Sequence, residues 1–294
     1  MLTRRTFLTR LALGPPSAAI FGGGAYAGWI EPALSLHIAR WRLAPMGWAG
    51  GPPLRIVALA DPHCAEPWMP LSRLAAVVAV ANRLRPDLVV LLGDYRASHR
   101  FVAGDVPLAG IAACLVRLRA PLGVHAILGN HDWVDDPAAM RRGGGPTETH
   151  RAFAAAGLPL LQNAAVRLTW RGQPFWLAGL GDQIAFGGMD DLDATMRALG
   201  DGAPALLLAH EPDIFARVPD RFALTLAGHT HGGQVAILGH RPVVPSAYGE
   251  RYAWGHVREG GRDLVVSGGL GCSILPVRLG VPPEITLIEL SSPL

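Results

Sequence analysis

Six times between residues 54 and 233 a short apolar run ends in a cluster rich in Gly, Asp, Asn or His. The runs are LRIVALADPH (54–63), DLVVLLGDY (87–95), GVHAILGNHDW (123–133), PFWLAGLGD (174–182), PALLLAHEPD (204–213) and FALTLAGHTHGG (222–233). They are continuous rather than alternating, the pattern of strands buried on both faces. Between several of them lie helical stretches. PLSRLAAVVAVANRLRPD puts Leu71, Leu74, Ala75, Val78, Ala81 and Leu84 on one apolar stripe. VPLAGIAACLVRLRAPLG (106–123) and DDLDATMRALG (190–200) read alike, the latter capped by Asp190 or Asp191. An edge strand is expected at 35–45 and further strands at 263–271 and 284–290. Strands alternating with helices predict an α/β fold whose sheets are covered by helices. With 50% hydrophobic residues and no low-complexity linker after residue 53, residues 28–294 are expected to form a single catalytic domain.

The first 27 residues differ from the rest. A Thr-Arg-Arg-x-Phe-Leu core (Thr3 to Leu8) precedes a weakly apolar Gly/Ala stretch, and Ala25-Tyr26-Ala27 offers a small-x-small cleavage site. This resembles a twin-arginine export signal, cleaved or retained as a membrane anchor, and implies the export machinery as a partner. The expected location is therefore the periplasm or the outer face of the inner membrane. Arg4, Arg5 and Arg10 account for the whole net charge of +3, no acid preceding Glu31, so the body of the chain is neutral. A neutral body lacks the footprint of a nucleic-acid binder. Cys64, Cys114 and Cys272 match no zinc or redox spacing and are expected to be small buried residues.

Five of the strand ends carry metal-competent side chains: Asp61 with His63, Asp94, Asn130 with His131, His210, and His229 with His231. In α/β sheets, ligands gather beyond the carboxyl ends of the strands. Each residue alone has an ordinary structural explanation, Asp94 as a helix cap and His210 as a hydrogen-bonded core imidazole. Together they do not, because burying this many carboxylates and imidazoles without a cation costs several kcal/mol per charged group. Even with His131 set aside, two Asp, one Asn and four His exceed one tetrahedral site and suit two divalent ions.

In order, D-x-H, G-D, G-N-H-D, His210 and G-H-x-H resemble the five blocks of the calcineurin-like metallophosphoesterase superfamily. The flanking GHTHGGQV and VSGGLGCSILPVRLGVPPEITLIEL are similar to its twin-arginine-exported bacterial phosphodiesterase branch. The resemblance implies a four-layer α/β/β/α sandwich of two mixed sheets flanked by helices. It implies one metal on Asp61, His63, Asp94 and His231, and a second on Asp94, Asn130, His210 and His229, with Asp94 bridging. The ions would be Mn, Fe, Zn or a mixture. It also implies in-line attack on phosphorus by a metal-bridging hydroxide, with His131 facing the leaving group and Asp132 orienting His131. The alternative is that His131 is itself a metal ligand.

The expected substrate is a phosphodiester or phosphomonoester, lipid- or cell-envelope-derived. Its contacts would come from loops 95–105, 134–150, 182–191 and 240–256, with Arg96, Arg100, Arg141, Arg142 and Arg251 available for phosphate and Asp182 and Gln234 near the pocket. Two other functions stay open: a pyrophosphatase acting on a nucleotide-linked lipid sugar, and a scaffold that keeps the fold without metal.

Overall fold

Ile56 and Ala58 face one core while Val57 and Leu59 face another, and the same division recurs at Leu88/Val90 against Val89/Leu91. That two-sided burial is why the strand segments read as unbroken apolar runs. In the computed structural model, which describes residues 22–293, the principal strands are β1 (His37–Leu43), β2 (Leu54–Leu59), β3 (Leu88–Leu91), β4 (Val124–Ala126), β5 (Ala164–Trp170), β6 (Gln173–Gly179), β7 (Ala205–Leu208), β8 (Phe222–Ala227), β9 (Gly255–Glu259), β10 (Arg262–Val266) and β11 (Glu284–Leu290). The first sheet runs β1-β11-β2-β3-β4 and the second β9-β10-β8-β7-β6-β5. Both are mixed: β2, β3 and β4 are mutually parallel beside an antiparallel β11, and β6, β7, β8 and β10 are parallel between antiparallel edges.

The sheets face each other across Ile56, Val90, Leu206, Leu208, Leu224, Leu226 and Ile288. Outside the first sheet lie helices α1 (Leu71–Arg83), α2 (Leu108–Leu115), α3 (His131–Val134), α4 (Pro137–Arg142) and α5 (Glu148–Ala156). Leu74, Val78, Ile111, Leu115 and Phe153 fill the layer beneath them. Outside the second sheet lie α6 (Leu192–Arg197) and a 3-10 turn at Pro212–Arg217, packed through Ile214 and Phe215. The result is the four-layer α/β/β/α arrangement. The helix α6 is capped by Asp191, whose carboxylate accepts the Ala194 N–H at 2.7 Å. The three cysteines are buried and unpaired.

Two strands were not legible in the sequence. The strand β5 alternates Val166, Leu168 and Trp170 with Arg167 and Thr169, and β9 begins inside a span expected to be loop. Both are antiparallel edges, which need only one apolar face and so leave no continuous hydrophobic run.

The Thr3–Leu8 motif lies outside the described residues. The helical segment Tyr26–Leu34 that follows is docked on the domain. The buried Glu31 carboxylate accepts N–H groups from Gly280 and Val281, and the Arg278 N–H donates to the Ala27 carbonyl. The proposed cleavage site at Ala25–Ala27 thus adjoins a segment packed on the C-terminal loop. Among the described residues, no helix is long and apolar enough to cross a membrane.

Candidate metal centre

Parallel β2, β3 and β4 end at one edge of the first sheet, and β7 and β8 end at the facing edge of the second. All five expected strand ends therefore converge. The loops are stitched by backbone bonds: Asp61 N–H to the Gly93 carbonyl at 3.1 Å, His63 N–H to Asp94 at 3.0 Å, and Gly228 N–H to His210 at 3.0 Å.

Ligand atoms gather in two main groups that can each hold a cation: Asp61, His63 and His231 in one, and Asp94, His210 and His229 in the other. The Asp94 carboxylate lies between them, its Oδ2 3.4 Å from His63 Nε2 and 3.2 Å from His210 Nε2. His63 and His231 stack at 4.9 Å with their Nε2 atoms 3.1 Å apart. On the other side Asn130 Oδ1 is 3.1 Å from His229 Nδ1. All seven expected ligands are brought together.

The donor set fits divalent cations. His210 Nδ1 lies 2.6 Å from the Leu92 carbonyl, which selects the tautomer with a bare Nε2. That buried Nε2 has no hydrogen-bond partner, despite its nearness to Asp94. A buried imidazole nitrogen with no hydrogen-bond partner, beside a shared carboxylate, suits a metal ligand.

Holding the ligands convergent strains the backbone. Asp61, His63, Asp94, His229 and His231 all have positive φ, between 39° and 67°. Non-glycine residues in that region cost about 1–3 kcal/mol each. His229 and His231 do not lie on an extended strand end, because β8 stops at Ala227 and the chain turns back at Gly228 to Gly233. The two imidazoles point into the site through two left-handed residues, while the Thr230 hydroxyl turns away to the Ala253 carbonyl. Two glycines make the close packing feasible. A Cβ on Gly129 would stand 2.4 Å from Asp94 Oδ1, and one on Gly93 2.4 Å from the Gly129 nitrogen.

Without a cation, protons balance the charge. Burial pushes the Asp61 carboxyl up to about 7, against the pull of His210. Burial also disfavours the charged forms of His210 and Asp94, but each holds the other ionised, so His210 is raised and Asp94 lowered well past their usual ranges. Burial keeps His63, His229 and His231 neutral, the ligand form, with His229 lowered to about 3. An acid with a raised folded pKa binds its proton more tightly when folded. Asp61 therefore makes the metal-free fold less stable as pH climbs from about 4 towards 7. Bound divalent ions remove that penalty. The expected result is a Tm gain on adding Mn2+ that is larger at about pH 8 than at about pH 5.5, read by calorimetry. Equal gains at both would contradict the assignment of Asp61.

His131 lies beside this pair, its N–H donating to Asp94 Oδ1 at 2.8 Å and its ring 5.0 Å from His63. It also forms a ligand-competent group with His63 and Asp94. The residue that orients it is not Asp132. The ring Nδ1 bonds Asp135 Oδ2 at 2.8 Å, one helical turn on. Burial opposes its charge, yet Asp94 and Asp135 raise His131 to about 9, leaving it protonated at neutral pH. Asp132 instead points inward and accepts N–H groups from Gly129, Asp94 and Tyr95 and the Thr149 hydroxyl. It braces the turns that carry Asp94 and Asn130. Asp132→Ala is therefore expected to lower stability by about 3–5 kcal/mol, having stranded several buried donors. Asp135→Asn leaves Tm nearly unchanged and lowers kcat, and denaturant melts with steady-state kinetics separate the two.

Arg278 is a site residue missed in the sequence. Its guanidinium is fully buried, donates to the carbonyls of Gly268, Gly271 and Val281, and reaches within 3.3 Å of His231 Nδ1. The only trace was an arginine inside the apolar CSILPVRLGV segment. Of the arginines offered for phosphate, Arg100 lines the cleft, Arg96 pairs with Glu148 and Arg251 with Glu259. Arg142 donates to the Pro146 carbonyl and Arg141 is exposed on α4. Asp182 caps the turn at Ile184 and Ala185, and Gln234 clasps the loop at Ser273, Leu275 and Val277.

The calcineurin-like phosphoesterase family profile matches residues 54–269. The chain is 33% identical over 300 residues to the phosphodiesterase YaeI of Escherichia coli, covering 99% of this chain and 100% of that one. It is 31% identical over 302 residues to the uncharacterized metallophosphoesterase YkuE of Bacillus subtilis, covering 99% and 98%. Among solved structures, the NAD nucleotidase of Haemophilus influenzae aligns with a TM-score of 0.48 at 13% identity, over 74% of this chain and 46% of that one, too distant to bear on activity. With the family profile spanning most of the chain and relatives matched over nearly their whole length, the protein belongs to the calcineurin-like metallophosphoesterase family.

Proposed function

We propose that this chain is a dinuclear metal-dependent phosphoesterase whose preferred bond is a phosphodiester. One observation carries the reading: two groups of candidate ligands share the Asp94 carboxylate, with the His131 imidazole beside them and fixed by Asp135. Asp61, His63, Asp94 and His231 would hold one cation and Asp94, Asn130, His210 and His229 the other. Bound divalent ions supply Lewis-acid activation of water and neutralise charge on the phosphate.

The chain's own residues set the rest. Asn130 contributes an oxygen without charge, so the site keeps an excess of positive charge for an anion. Asp135 holds the His131 ring, whose Nε2 proton is available to the oxygen that departs from phosphorus. The cleft in front, about 430 Å³, is lined by His63, His99, Arg100, His131, Ile274 and Leu275. One guanidinium there suits a singly charged diester better than a doubly charged monoester, in agreement with the name given to the Escherichia coli relative.

The Arg4-Arg5 motif supports export, with the body on the outer side of the inner membrane. The test of activity is turnover of matched aryl monoesters, aryl diesters and nucleotide pyrophosphates with defined added Mn2+, Fe2+ or Zn2+. Diester hydrolysis is expected to lead. A dominant pyrophosphate activity would replace this reading with the pyrophosphatase, and no activity with any metal would leave a scaffold.

A further inference from the structure

Three segments, one of which lines the cleft, expose apolar side chains and are tied together by hydrogen bonds. They are the helical segment Tyr26–Leu34, the loop 271–281 and the turn at 235–240. The Arg278 N–H donates to Ala27, Glu31 accepts from Gly280 and Val281, the Ala236 N–H donates to Leu279, and Gln234 Nε2 donates to Leu275. Across this surface Leu34 is 69% exposed, Ile237 55%, Leu238 104%, Ile274 77% and Leu275 48%, with Trp29 at 44%. Leu238 is held out at the tip of a turn closed by reciprocal bonds between Ile237 and His240, so it does not fold back for want of support. Single exposed apolar residues are ordinary on soluble proteins; a joined set on three braced segments marks an interaction surface.

Two further observations choose the partner. Ile274 and Leu275 also line the cleft beside His63 and His131, so whatever covers the rim also faces the site. Residues 1–21 join the described chain at Gly22, just ahead of the helical segment that bears Trp29 and Leu34, and their sequence has three arginines and no acid while the remainder is neutral. The segment that carries the export motif therefore enters the described chain at an apolar rim containing a tryptophan, a composition that matches the interfacial zone of a bilayer. We propose that this rim docks on a lipid bilayer and turns the cleft towards the headgroups, so that the substrate is a phosphodiester headgroup of a membrane lipid. The substrate part rests on the phosphodiesterase reading; the docking part does not.

The test is co-sedimentation of the full chain with vesicles of equimolar phosphatidylglycerol and phosphatidylcholine, for the wild type and for the double variant Ile237→Glu/Leu238→Glu. The expected result is binding by the wild type and at least an about tenfold weaker binding by the variant, since each residue withdraws an apolar side chain from the interface. Hydrolysis of soluble bis(p-nitrophenyl) phosphate is expected to be equal in the two, which reports an intact fold and site, while hydrolysis of vesicle phosphatidylglycerol falls with binding. A wild type that stays in solution, or a variant that binds as well, overturns the docking. So does a lipid-free dimer that the variant dissolves, which would assign the rim to a second copy of the chain. Vesicle binding without turnover of the soluble diester upholds the docking and overturns the phosphodiesterase reading.

Discussion

Replacing Asp94 with alanine is expected to lower phosphoester hydrolysis by at least about a thousandfold, because the contribution of a metal site to the barrier is several kcal/mol and each 1.4 kcal/mol is tenfold. Asp94 is singled out by position. Its carboxylate is within 3.4 Å of His63 and 3.2 Å of His210, which belong to different ligand groups, and it accepts the His131 N–H. The fold is expected to survive. Removing Asp94 also removes the carboxylate that repels Asp61, and His210 can lose its proton once its partner is gone. Circular dichroism, and melting of the metal-free forms, should therefore resemble the wild type while turnover and metal content fall together. Asp94→Asn keeps the shape and loses the charge, and should sit with alanine in activity. An active Asp94→Ala protein would mean that the two groups of ligands do not work as a unit.

His131→Ala is expected to act on the departure of the leaving group. The loss should be about a hundredfold to ten-thousandfold for alkyl leaving groups, which need a proton, and much smaller for p-nitrophenolate, which does not. Asp135→Asn should show the same dependence on the leaving group at a smaller amplitude, since it only frees the ring that Nδ1 now fixes. The metal content of His131→Ala should equal that of the wild type. This matters because His131 also lies within ligand distance of His63 and Asp94. A loss of one metal in this variant, with an equal rate loss for every leaving group, would make His131 a ligand.

The convergence of the seven candidate ligands was legible because buried strands and polar strand ends alternate along the chain, and parallel strands bring those ends to one edge. How the ligands are aimed was not. The five left-handed residues and the turn after Ala227 depend on glycines at 93, 129 and 228, whose roles appear only when the neighbouring loops are packed against them. Asp132 and Asp135 show the same limit. Both follow His131 closely in sequence, and which one meets its ring depends on the helical turn of α3: a residue four positions on lies over the imidazole, while the adjacent one is directed back under the loop. Arg278 was hidden for a different reason. It comes from a loop 47 residues beyond His231 and is satisfied by carbonyls, so no motif spacing marks it. The edge strands β5 and β9 were missed because alternation over a few residues carries less signal than an unbroken run.

The proposed centre holds two cations that share Asp94. Elemental mass spectrometry of the purified chain, reconstituted with Mn2+ and freed of excess by gel filtration, counts them directly. Two ions per chain in the wild type and one or none in Asp94→Ala is the expected result. A wild-type chain that retains a single ion, or an Asp94→Ala chain that still retains two, contradicts it.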